Sequence, residues 1–385
     1  MKICLLGASG SIGKQTLDVI NKNPRDFELV AFSVGHRTRS ISGILNKHKK
    51  VTDVYLLDKK KVKYYQDRYP KVRFFADDIT RVISDSDNEM VVNALVGFVG
   101  LIPSITTIKS HKKLALANKE SLVVGGDIIN SLLKEYNGKL YPIDSEHSAL
   151  WKCLKVDSKD VDKLILTASG GAFRNLSRDE LKNVTPEDAL KHPTWKMGNK
   201  ITIDCATMVN KAFEIIEAGY LFKFSSLRVG VTLHDESYLH SYVSLKSGGF
   251  RGEISKPDMR NPIKFALYEG NIPFKTAYFD SLDDLKGLHF HEFDINRYPI
   301  IKTAKSVLRR RGNLGAIFNR SNEHAVNAFL NHRIKFLDIE KIIKYCMKNI
   351  EYIPHASLEE ILETDRKTQT VAEYCVMILE KGGRL

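Results

Sequence analysis

Cysteine is scarce in this 385-residue chain, and its five cysteines are scattered without a CxxC spacing: Cys4, Cys153, Cys205, Cys346 and Cys375. An odd number without paired spacing argues against a disulfide framework and against a zinc site. Long hydrophobic stretches are also missing, since no run reaches the ~18 apolar residues of a membrane span. These absences predict a protein of the reducing cytoplasm that has no membrane segment.

We expect no targeting segment before the first predicted structural element. Residues Lys2–Leu6 already have the pattern of a strand, without the leader of a secretory signal or a transit peptide. Internal repeats and low-complexity tracts are absent from the sequence too. The chain is long enough for two or three domains, and its 43% apolar and 27% charged residues are ordinary for a globular protein.

Acidic residues are in deficit, with 46 Asp and Glu against 59 Lys and Arg, and the formal net charge is +13. A basic protein can bind the phosphate backbone of nucleic acids. The lysines are spread along the whole chain, however, and the short clusters Lys59–Lys61 and Arg309–Arg311 lack interleaved aromatic residues. We therefore expect no nucleic-acid partner, and we interpret the charge as favourable to an enzyme of anionic substrates.

The first 144 residues alternate short β-rich runs with helical stretches, which is typical of a parallel sheet with crossover helices. Seven strands are predicted, at Lys2–Leu6, Phe27–Val34, Asp53–Leu57, Val72–Ala76, Met90–Leu95, Lys113–Ala117 and Lys139–Ile143. The pattern predicts a doubly wound α/β domain.

The first predicted strand runs into a glycine-rich loop, Gly7–Gly13, and a helical stretch follows. Glycines in this context let a pyrophosphate approach backbone N–H groups at a helix N-terminus. The second strand leads to Gly35, and His36, Arg37 and Arg39 follow with no acid nearby. Basic groups there meet the 2′-phosphate of NADP(H), whereas NAD(H) usually meets an acid. The loop therefore favours NADPH, and a solvated basic loop is the alternative.

Asp144 and Glu146 lie in the stretch Pro142–Ser148, where a predicted strand changes into a helix. Open α/β sheets bind ligands at such strand ends, and two carboxylates two positions apart can converge on Mg²⁺ or Mn²⁺. The alternative is a helix N-terminus at which Asp144 or Ser145 is the cap and Glu146 complements the helix dipole. The residues alone leave both interpretations open.

Three other segments carry candidate ligands. Asn118, Lys119 and Glu120 close a strand and open a helix, where an ammonium and an amide can face the junction of cofactor and substrate or simply begin a capped helix. The turn Ser169–Gly171 offers a hydroxyl and backbone amides that suit a phosphate, although many such turns bind nothing. Residues 192–200 contain Pro, Gly and an isolated Trp, which is typical of a lid that closes over substrate or of a plain surface loop.

The segment from Ile201 to about Leu221 is predicted to be helical throughout. Asn210, Lys211 and Glu214 project from one face of this helix, because they are three and four positions apart. Glu214 can add a third carboxylate to a metal site while Asn210 and Lys211 hold a phosphate. A surface Lys–Glu pair is the alternative.

The remaining sequence predicts a second sheet and a helical region. Strands at Arg228–Thr232, Leu239–Leu245 and Arg251–Ile254 suit an antiparallel or mixed sheet, and the acidic residues 280–299 are predicted to be a linker. Four amphipathic helices then follow, at Ile300–Arg310, Glu323–Leu330, Ile339–Ile350 and Leu358–Glu380.

Taken together, these motifs resemble the 1-deoxy-D-xylulose 5-phosphate reductoisomerase family over essentially the whole chain. The matching segments are Gly7–Gly13, Leu116–Ser121, Ile143–Ser148, His192–Gly198, Lys200–Thr202, Ala206–Lys211 and Pro257–Arg260. The resemblance implies NADPH- and Mg²⁺- or Mn²⁺-dependent isomerisation and reduction of 1-deoxy-D-xylulose 5-phosphate to 2-C-methyl-D-erythritol 4-phosphate, a step toward isoprenoid precursors.

The resemblance also implies the domain organisation of a homodimer. A Rossmann-like NADPH domain would occupy residues 1–144, and a catalytic and dimerisation domain of α+β type would occupy 145–279, with a flexible lid around 192–200. The linker at 280–299 would lead to a C-terminal helical domain at 300–385.

Individual residues receive roles from the same resemblance. The metal would be held by Asp144, Glu146 and Glu214, and the expected catalytic residues are Lys119, Glu146 and His192. Substrate is expected to meet Lys119, Ser145, Glu146, Ser169, His192, Cys205, Asn210, Lys211 and Glu214. NADPH is expected to meet Ser9, Gly10, Ser11, Ile12, Gly35, His36, Arg37, Asn118, Glu120 and Gly198.

Some positions depart from the pattern of that family. Cys205 stands where a substrate-binding serine is usual, and His234–Ser237 replaces a His-Pro-x-Ser turn; neither change removes a metal ligand. Two other functions stay open on the sequence alone. A thiol-dependent NADPH dehydrogenase would use Cys205 and survive a chelator, and a nucleotide-responsive RNA-binding protein would bind RNA with a steep salt dependence.

Overall fold

The computed structural model describes residues 1–155, 159–191, 195, 197–273 and 286–385. Contacts within the chain divide it into two compact units. Unit 1 comprises residues 1–121, 129–148 and, from Asp258, the described residues up to Pro273; unit 2 comprises residues 122–128, the described part of 149–257 and residues 286–385.

Unit 1 contains a seven-stranded parallel sheet. Its strands are β1 (Lys2–Leu6), β2 (Glu28–Val34), β3 (Asp53–Leu56), β4 (Arg73–Phe75), β5 (Met90–Asn93), β6 (Lys113–Leu116) and β7 (Leu140–Pro142). Their order is β4-β3-β2-β1-β5-β6-β7, so the winding direction reverses between β1 and β5. Such a reversal opens the crevice in which doubly wound sheets bind ligands, and the predicted α/β class is confirmed.

Helices of the first 154 residues follow these strands. They are α1 (Ser11–Lys22), α2 (Ser40–Lys47), α3 (Val62–Arg68), α4 (Arg81–Ser84), α5 (Leu101–Lys109), α6 (Lys119–Glu135) and α7 (Ser145–Leu154). The strands β1 and β5 are almost wholly buried because both of their faces carry Ile, Val and Leu, as expected for a sheet covered on two sides.

One helix from much later in the chain also belongs to unit 1. This helix, α11 (Arg260–Leu267), packs on α1, and Arg260 donates a hydrogen bond to Asp18 over 3.2 Å. Just beyond it, the rings of Tyr268 and Phe27 meet edge to face at 4.8 Å. The compact units therefore do not follow the continuous division of the chain at residues 144 and 279.

Unit 2 is built on a five-stranded mixed sheet. Its strands are β8 (Val161–Ala168), β9 (Val229–His234), β10 (Leu239–Leu245), β11 (Phe250–Ile254) and β12 (Phe290–His291), in the order β11-β10-β8-β9-β12. Only the β8–β9 pair is parallel. Phe290, within the segment predicted as a linker at residues 280–299, forms an edge strand, because its ring stacks on His234 at 4.5 Å and its backbone pairs with β9.

The remaining helices belong to unit 2. They are α8 (Pro186–Ala189), α9 (Asn199–Ala206), α10 (Val209–Phe222), α12 (Ile300–Arg310), α13 (Leu314–Leu330), α14 (Asp338–Asn349) and α15 (Leu358–Glu380). The bounds of α12 and α15 agree with prediction, whereas α13 begins nine residues before its predicted start at Glu323. None of the described helices combines the length and apolar character that a bilayer crossing requires.

Candidate active site

The glycine-rich loop after β1 is closed so tightly that two of its glycine positions, Gly7 and Gly13, have no room for a side chain. Gly7 has φ +80°, and a Cβ on it would lie 2.6 Å from the carbonyl oxygen of Ala94. A Cβ on Gly13 would lie 2.3 Å from the carbonyl oxygen of Gly7. Gly10 is the N-cap of α1 and provides no side-chain cap. The first-turn N–H groups of this 12-residue helix are therefore presented to an anion, as a pyrophosphate site requires.

The loop after β2 lies next to this glycine-rich loop in unit 1. Gly7 donates its backbone N–H to the Ser33 hydroxyl over 2.9 Å, and Ala8 donates to the Ser33 carbonyl over 2.9 Å. Beyond the strand, Gly35, His36 and Arg37 are exposed. Within the part of the chain that the structure describes, no carboxylate pairs with Arg37. The geometry thus leaves this guanidinium available to a 2′-phosphate.

Asn118 is the N-cap of α6, so the capped-helix interpretation of this segment holds. Its side-chain oxygen accepts from the Ser121 N–H over 3.1 Å, and its amide donates to the Gly97 carbonyl over 2.9 Å and to Glu120 over 3.1 Å. These hydrogen bonds engage the side-chain amide of Asn118 and hold the Glu120 carboxylate next to it. Lys119, the first residue of the helix, is directed to a different partner.

That partner is Asp144. The two residues lie at the centre of a group that also includes Ser145, Glu146 and His147, which we call the acidic edge. The Lys119 Nζ lies 2.6 Å from Asp144 Oδ2, with both side chains buried. Asp144 also caps α7, since its Oδ1 accepts the Glu146 N–H over 3.2 Å. The Ser145 hydroxyl donates to Glu146 Oε2 over 2.5 Å. The helix-cap interpretation of the acidic stretch therefore holds, and the metal-ligand interpretation of Asp144 and Glu146 stays a prediction.

Electrostatics keep Asp144 ionised in spite of its burial. Desolvation alone would raise the pKa of this carboxyl, but the Lys119 ammonium, supported by His147 and Glu146, holds the pKa well below its usual range. The His147 Nδ1 lies 3.4 Å from Asp144 Oδ1. An ionised, oriented carboxylate is the form that a divalent cation requires.

Unit 2 contributes the second group of predicted site residues, on α10. Lys211 and Glu214 form an ion pair within the helix, and Asn210 donates to Glu214 Oε1 over 2.5 Å. Lys211 is 3% exposed and Glu214 is 1% exposed. The alternative of a wet surface pair is therefore wrong. A buried ion pair such as Lys211–Glu214 is weak support for stability, and buried charged groups of this kind are typical of functional sites.

The helix predicted from Ile201 to Leu221 is broken in the structure, and the break precedes this trio. Thr207 and Met208 separate α9 from α10, with Met208 in the left-handed region at φ +63°. A non-glycine residue in this conformation costs roughly 1–2 kcal/mol and often marks a functional segment. The break sets the direction in which α10 presents Asn210.

Cys205 and Ser169 are brought together by a second tight turn. Cys205 is half-buried in the last turn of α9. Gly171, at φ +68°, packs so closely on α9 that a Cβ would lie 2.7 Å from the Cys205 carbonyl oxygen. Ser169, two residues earlier, accepts the Gly171 N–H over 3.4 Å. The Ser169–Gly171 turn and the end of α9 thus form one continuous surface.

The predicted lid is described only in part. His192 lies outside the described residues, while Trp195 is half-buried with its ring 6.4 Å from that of His240. Gly198 is exposed and is the N-cap of α9. Beside the α9–α10 break, a small cleft is lined largely by apolar residues such as Val209 and Phe336. It contains none of the predicted site residues, so we do not regard it as the active site.

Two residues near these groups were not singled out from the sequence. Glu217 is 1% exposed and follows Glu214 by three positions on α10, so the helical spacing could have revealed it. Lys61 was seen only as part of a basic cluster, and its ammonium lies 3.0 Å from the Thr38 hydroxyl beside the loop after β2. No local spacing in the sequence relates Lys61 to that loop.

Models of one protein family match most of the chain. A family model described as 1-deoxy-D-xylulose 5-phosphate reductoisomerase matches residues 3–126. Models described as the C-terminal domain of that enzyme match residues 140–222 and 254–371. Curated proteins of the same name match along nearly their whole length. One from Geobacillus sp. (strain WCH70) is 40% identical over 95% of this chain and 97% of its own, and one from Exiguobacterium sp. (strain ATCC BAA-1283 / AT1b) is 42% identical over 95% and 96%.

Solved structures give the same result at the level of the fold. A DOX-P reductoisomerase in complex with NADPH, fosmidomycin and magnesium superimposes with a TM-score of 0.92 at 31% identity, and it covers 100% of both chains. The Zymomonas mobilis enzyme in complex with NADPH superimposes with a TM-score of 0.88 at 31% identity, over 97% of this chain and 98% of its own.

Proposed function

Since the chain belongs to the 1-deoxy-D-xylulose 5-phosphate reductoisomerase family, we propose how its own residues perform the reaction of that family. The reaction converts 1-deoxy-D-xylulose 5-phosphate into 2-C-methyl-D-erythritol 4-phosphate and depends on NADPH and a divalent metal ion. The observation that carries the assignment of roles is the buried, ionised Asp144 beside Lys119, just beyond a strand of a sheet whose first loop has no room for a side chain at Gly7 or Gly13.

The cofactor site follows from the two loops after β1 and β2. Ser9, Gly10, Ser11 and Ile12 would surround the pyrophosphate at the N-terminus of α1. Gly35, His36 and Arg37 would meet the adenosine end. Asn118, Glu120 and Gly198 complete the proposed set, and Asn118 and Glu120 support it mainly by fixing the start of α6.

The metal site would consist of Asp144, Glu146 and Glu214. The donor set fits Mg²⁺, and equally Mn²⁺, because all three residues offer carboxylate oxygens and the pKa of Asp144 is already lowered. The ion would supply Lewis acidity and a template for the ketone and neighbouring hydroxyl of the substrate. Glu214 is held for this purpose by Asn210 and Lys211.

The substrate would lie with its phosphate against Ser169, Cys205, Asn210 and Lys211, together with His192 from the lid. Lys119 and Ser145 would face the reacting carbons. The carbon skeleton first rearranges, by retro-aldol cleavage and recombination in our proposal, to a branched aldehyde. Bound NADPH, held by the residues of the proposed cofactor site, would supply the hydride for reduction of that aldehyde. Glu146, already hydrogen-bonded to Ser145, is well placed to move protons in the rearrangement.

The larger organisation also remains a proposal. We assign cofactor binding to residues 1–144, catalysis and dimerisation to 145–279, a connecting segment to 280–299 and a supporting helical region to 300–385. A homodimer is supported by β11, an edge strand on which Phe250 is 74% exposed, because an unpaired edge with an exposed aromatic ring favours self-association. The odd number of cysteines and their scattered spacing support a cytoplasmic location.

A direct assay tests the function. The purified chain is expected to oxidise NADPH, followed by absorbance, when it receives 1-deoxy-D-xylulose 5-phosphate and Mg²⁺. A chelator should stop the reaction, and added Mg²⁺ should restore it. Activity that survives the chelator would contradict the metal dependence and favour a thiol-dependent dehydrogenase.

A further inference from the structure

The loops that follow β2 and β3 lie side by side at one edge of the unit 1 sheet. The two strands are parallel neighbours, with Val34 paired to Leu56, and Leu57 donates its N–H to the Val34 carbonyl over 3.3 Å. Since parallel strands end at the same edge of a sheet, the short helical turn Lys59–Lys61 comes directly beside the loop that carries Arg37.

Lys61 is attached to that loop by a direct hydrogen bond. Its Nζ lies 3.0 Å from the hydroxyl of Thr38, which is 2% exposed. The Thr38 carbonyl accepts a second bond from the Tyr65 hydroxyl over 2.8 Å. The Asp58 side chain begins the turn by accepting the Lys60 N–H over 3.1 Å. The Lys61 ammonium is therefore held in position by fixed backbone on both loops.

We propose that Lys61 is a second cation of the 2′-phosphate site and a determinant of the preference for NADPH, an inference that rests on the proposed cofactor site. An ammonium has three N–H donors. Thr38 takes one of them, and the Asp58 carboxylate is 3.7 Å away, beyond normal hydrogen-bond length. Lys61 thus retains donor capacity toward a phosphate that Arg37 contacts from the neighbouring loop.

The charge around the turn favours the same ligand. Lys59 and Lys60 are exposed and add positive charge that more than offsets Asp58. A simple structural tether between the two loops is the competing explanation for the Lys61–Thr38 bond. The two explanations differ in one measurable respect, because a tether supports NADPH and NADH equally, whereas a phosphate ligand supports NADPH alone.

The test compares Lys61→Met with Lys60→Met, a matched variant that removes the same charge from the same exposed turn. Dissociation constants for NADPH and NADH are measured from nicotinamide fluorescence at about 0.15 M ionic strength, after thermal unfolding has shown that each variant is folded. Lys61→Met should weaken NADPH by about ten-fold, as expected for one charged hydrogen bond, and should leave NADH nearly unchanged. Lys60→Met should change neither cofactor appreciably, because an exposed charge without a direct contact is largely screened.

Equal weakening of both cofactors by Lys61→Met would show a tether and overturn the inference, and so would unchanged NADPH binding. A parallel Arg37→Ala variant separates this failure from failure of the proposed function. If the wild type prefers NADPH and only Arg37→Ala removes the preference, Lys61 alone is misassigned. If the wild type does not distinguish NADPH from NADH, the cofactor site itself is misassigned. The proposed role of Lys61 is then wrong as well.

Discussion

The Lys119 ammonium and the Asp144 carboxylate form a buried ion pair, with Nζ 2.6 Å from Oδ2 and less than a tenth of either side chain exposed. This pair connects the first residue of α6 to the cap of α7, so it has a structural effect as well as a proposed catalytic one. Removing one partner leaves the other charge buried without compensation, which typically costs about 3–5 kcal/mol.

The two effects of this pair can be separated. We expect Lys119→Met to lose turnover and to lower the free energy of unfolding by about 3 kcal/mol. Adding Asp144→Asn should recover most of the stability, because no charge then remains unpaired, but should not recover turnover. Urea unfolding in the presence of a chelator measures the stability, and NADPH oxidation measures the turnover. Full stability of Lys119→Met would contradict the ion pair, and an active double variant would contradict the catalytic assignment.

The proposed metal ligands predict a loss of metal affinity that does not extend to the cofactor. Glu146→Gln and Glu214→Gln should each reduce kcat/KM by more than about a hundred-fold, since even an outer partner of a metal ligand is worth about 10- to 100-fold. Binding of Mn²⁺, measured by calorimetry without substrate, should weaken in both variants while the NADPH dissociation constant stays the same.

A matched control for these variants is Glu253→Gln. Glu253 also pairs with a lysine, Lys152, over 2.5 Å, but it lies outside the proposed ligand set. It should keep wild-type Mn²⁺ binding and turnover. Near-normal Mn²⁺ affinity in both Glu146→Gln and Glu214→Gln would remove the basis of the metal assignment.

The local parts of the fold were predictable because their signals are local. The bounds of β1 and α15 agree with prediction, the latter because Ser357 and Glu360 form a capping box before a clear apolar period. The apolar period did not indicate the first half of α13, because residues such as Ile317, Phe318 and Asn319 are all fully buried. A helix that is buried on every side lacks the amphipathic period on which prediction depends.

The site was predictable in its residue types but not in its pairings. The spacing of Asn210, Lys211 and Glu214 correctly predicted that these side chains lie on one face of a helix. The Lys119–Asp144 pair joins residues far apart in sequence, so no periodicity could indicate it. The left-handed Met208 was equally invisible, because the sequence around it favours a continuous helix and only tertiary packing stabilises the break.

We expect the buried His240 to make the folded protein less stable as the pH falls below neutrality. Burial, with a further contribution from Lys152, lowers its pKa from 6.5 to about 4. Between pH 6.5 and pH 4 the side chain of His240 is protonated in the unfolded chain but stays neutral in the folded chain, so protonation favours unfolding. The contribution of His240 is fully present above pH 6.5 and is lost progressively toward pH 4. At about pH 5 the loss should be about 2 kcal/mol.

The variant His240→Gln isolates this contribution, because glutamine does not titrate and can still reach Ser255, whose hydroxyl lies 3.0 Å from His240 Nε2. Urea unfolding of both proteins is measured at about pH 7.5 and pH 5. The wild type should lose about 2 kcal/mol more than the variant between the two conditions. An equal loss in both proteins would mean that His240 titrates normally in the folded state.

Cys205 offers a selective chemical test of the proposed phosphate site. It is half-buried, whereas Cys4, Cys153, Cys346 and Cys375 are all buried. Iodoacetamide should therefore modify Cys205 first in the folded protein, and mass spectrometry identifies the modified residue. Substrate together with Mg²⁺ should protect Cys205, because the substrate phosphate would cover the surface formed by the end of α9 and the Ser169–Gly171 turn.

The variant Cys205→Ser tests the same site without a reactive thiol. It exchanges a weak hydrogen-bond donor for a stronger one at the position where the family usually has serine. The variant should resist inactivation by iodoacetamide and should keep or lower the KM for 1-deoxy-D-xylulose 5-phosphate, with kcat little changed. A wild-type protein fully alkylated at Cys205 with an unchanged kcat/KM would place this residue outside the substrate pocket. The neighbouring Asn210 and Lys211 would then need a role other than phosphate binding, since Cys205 leads directly into the break that orients them.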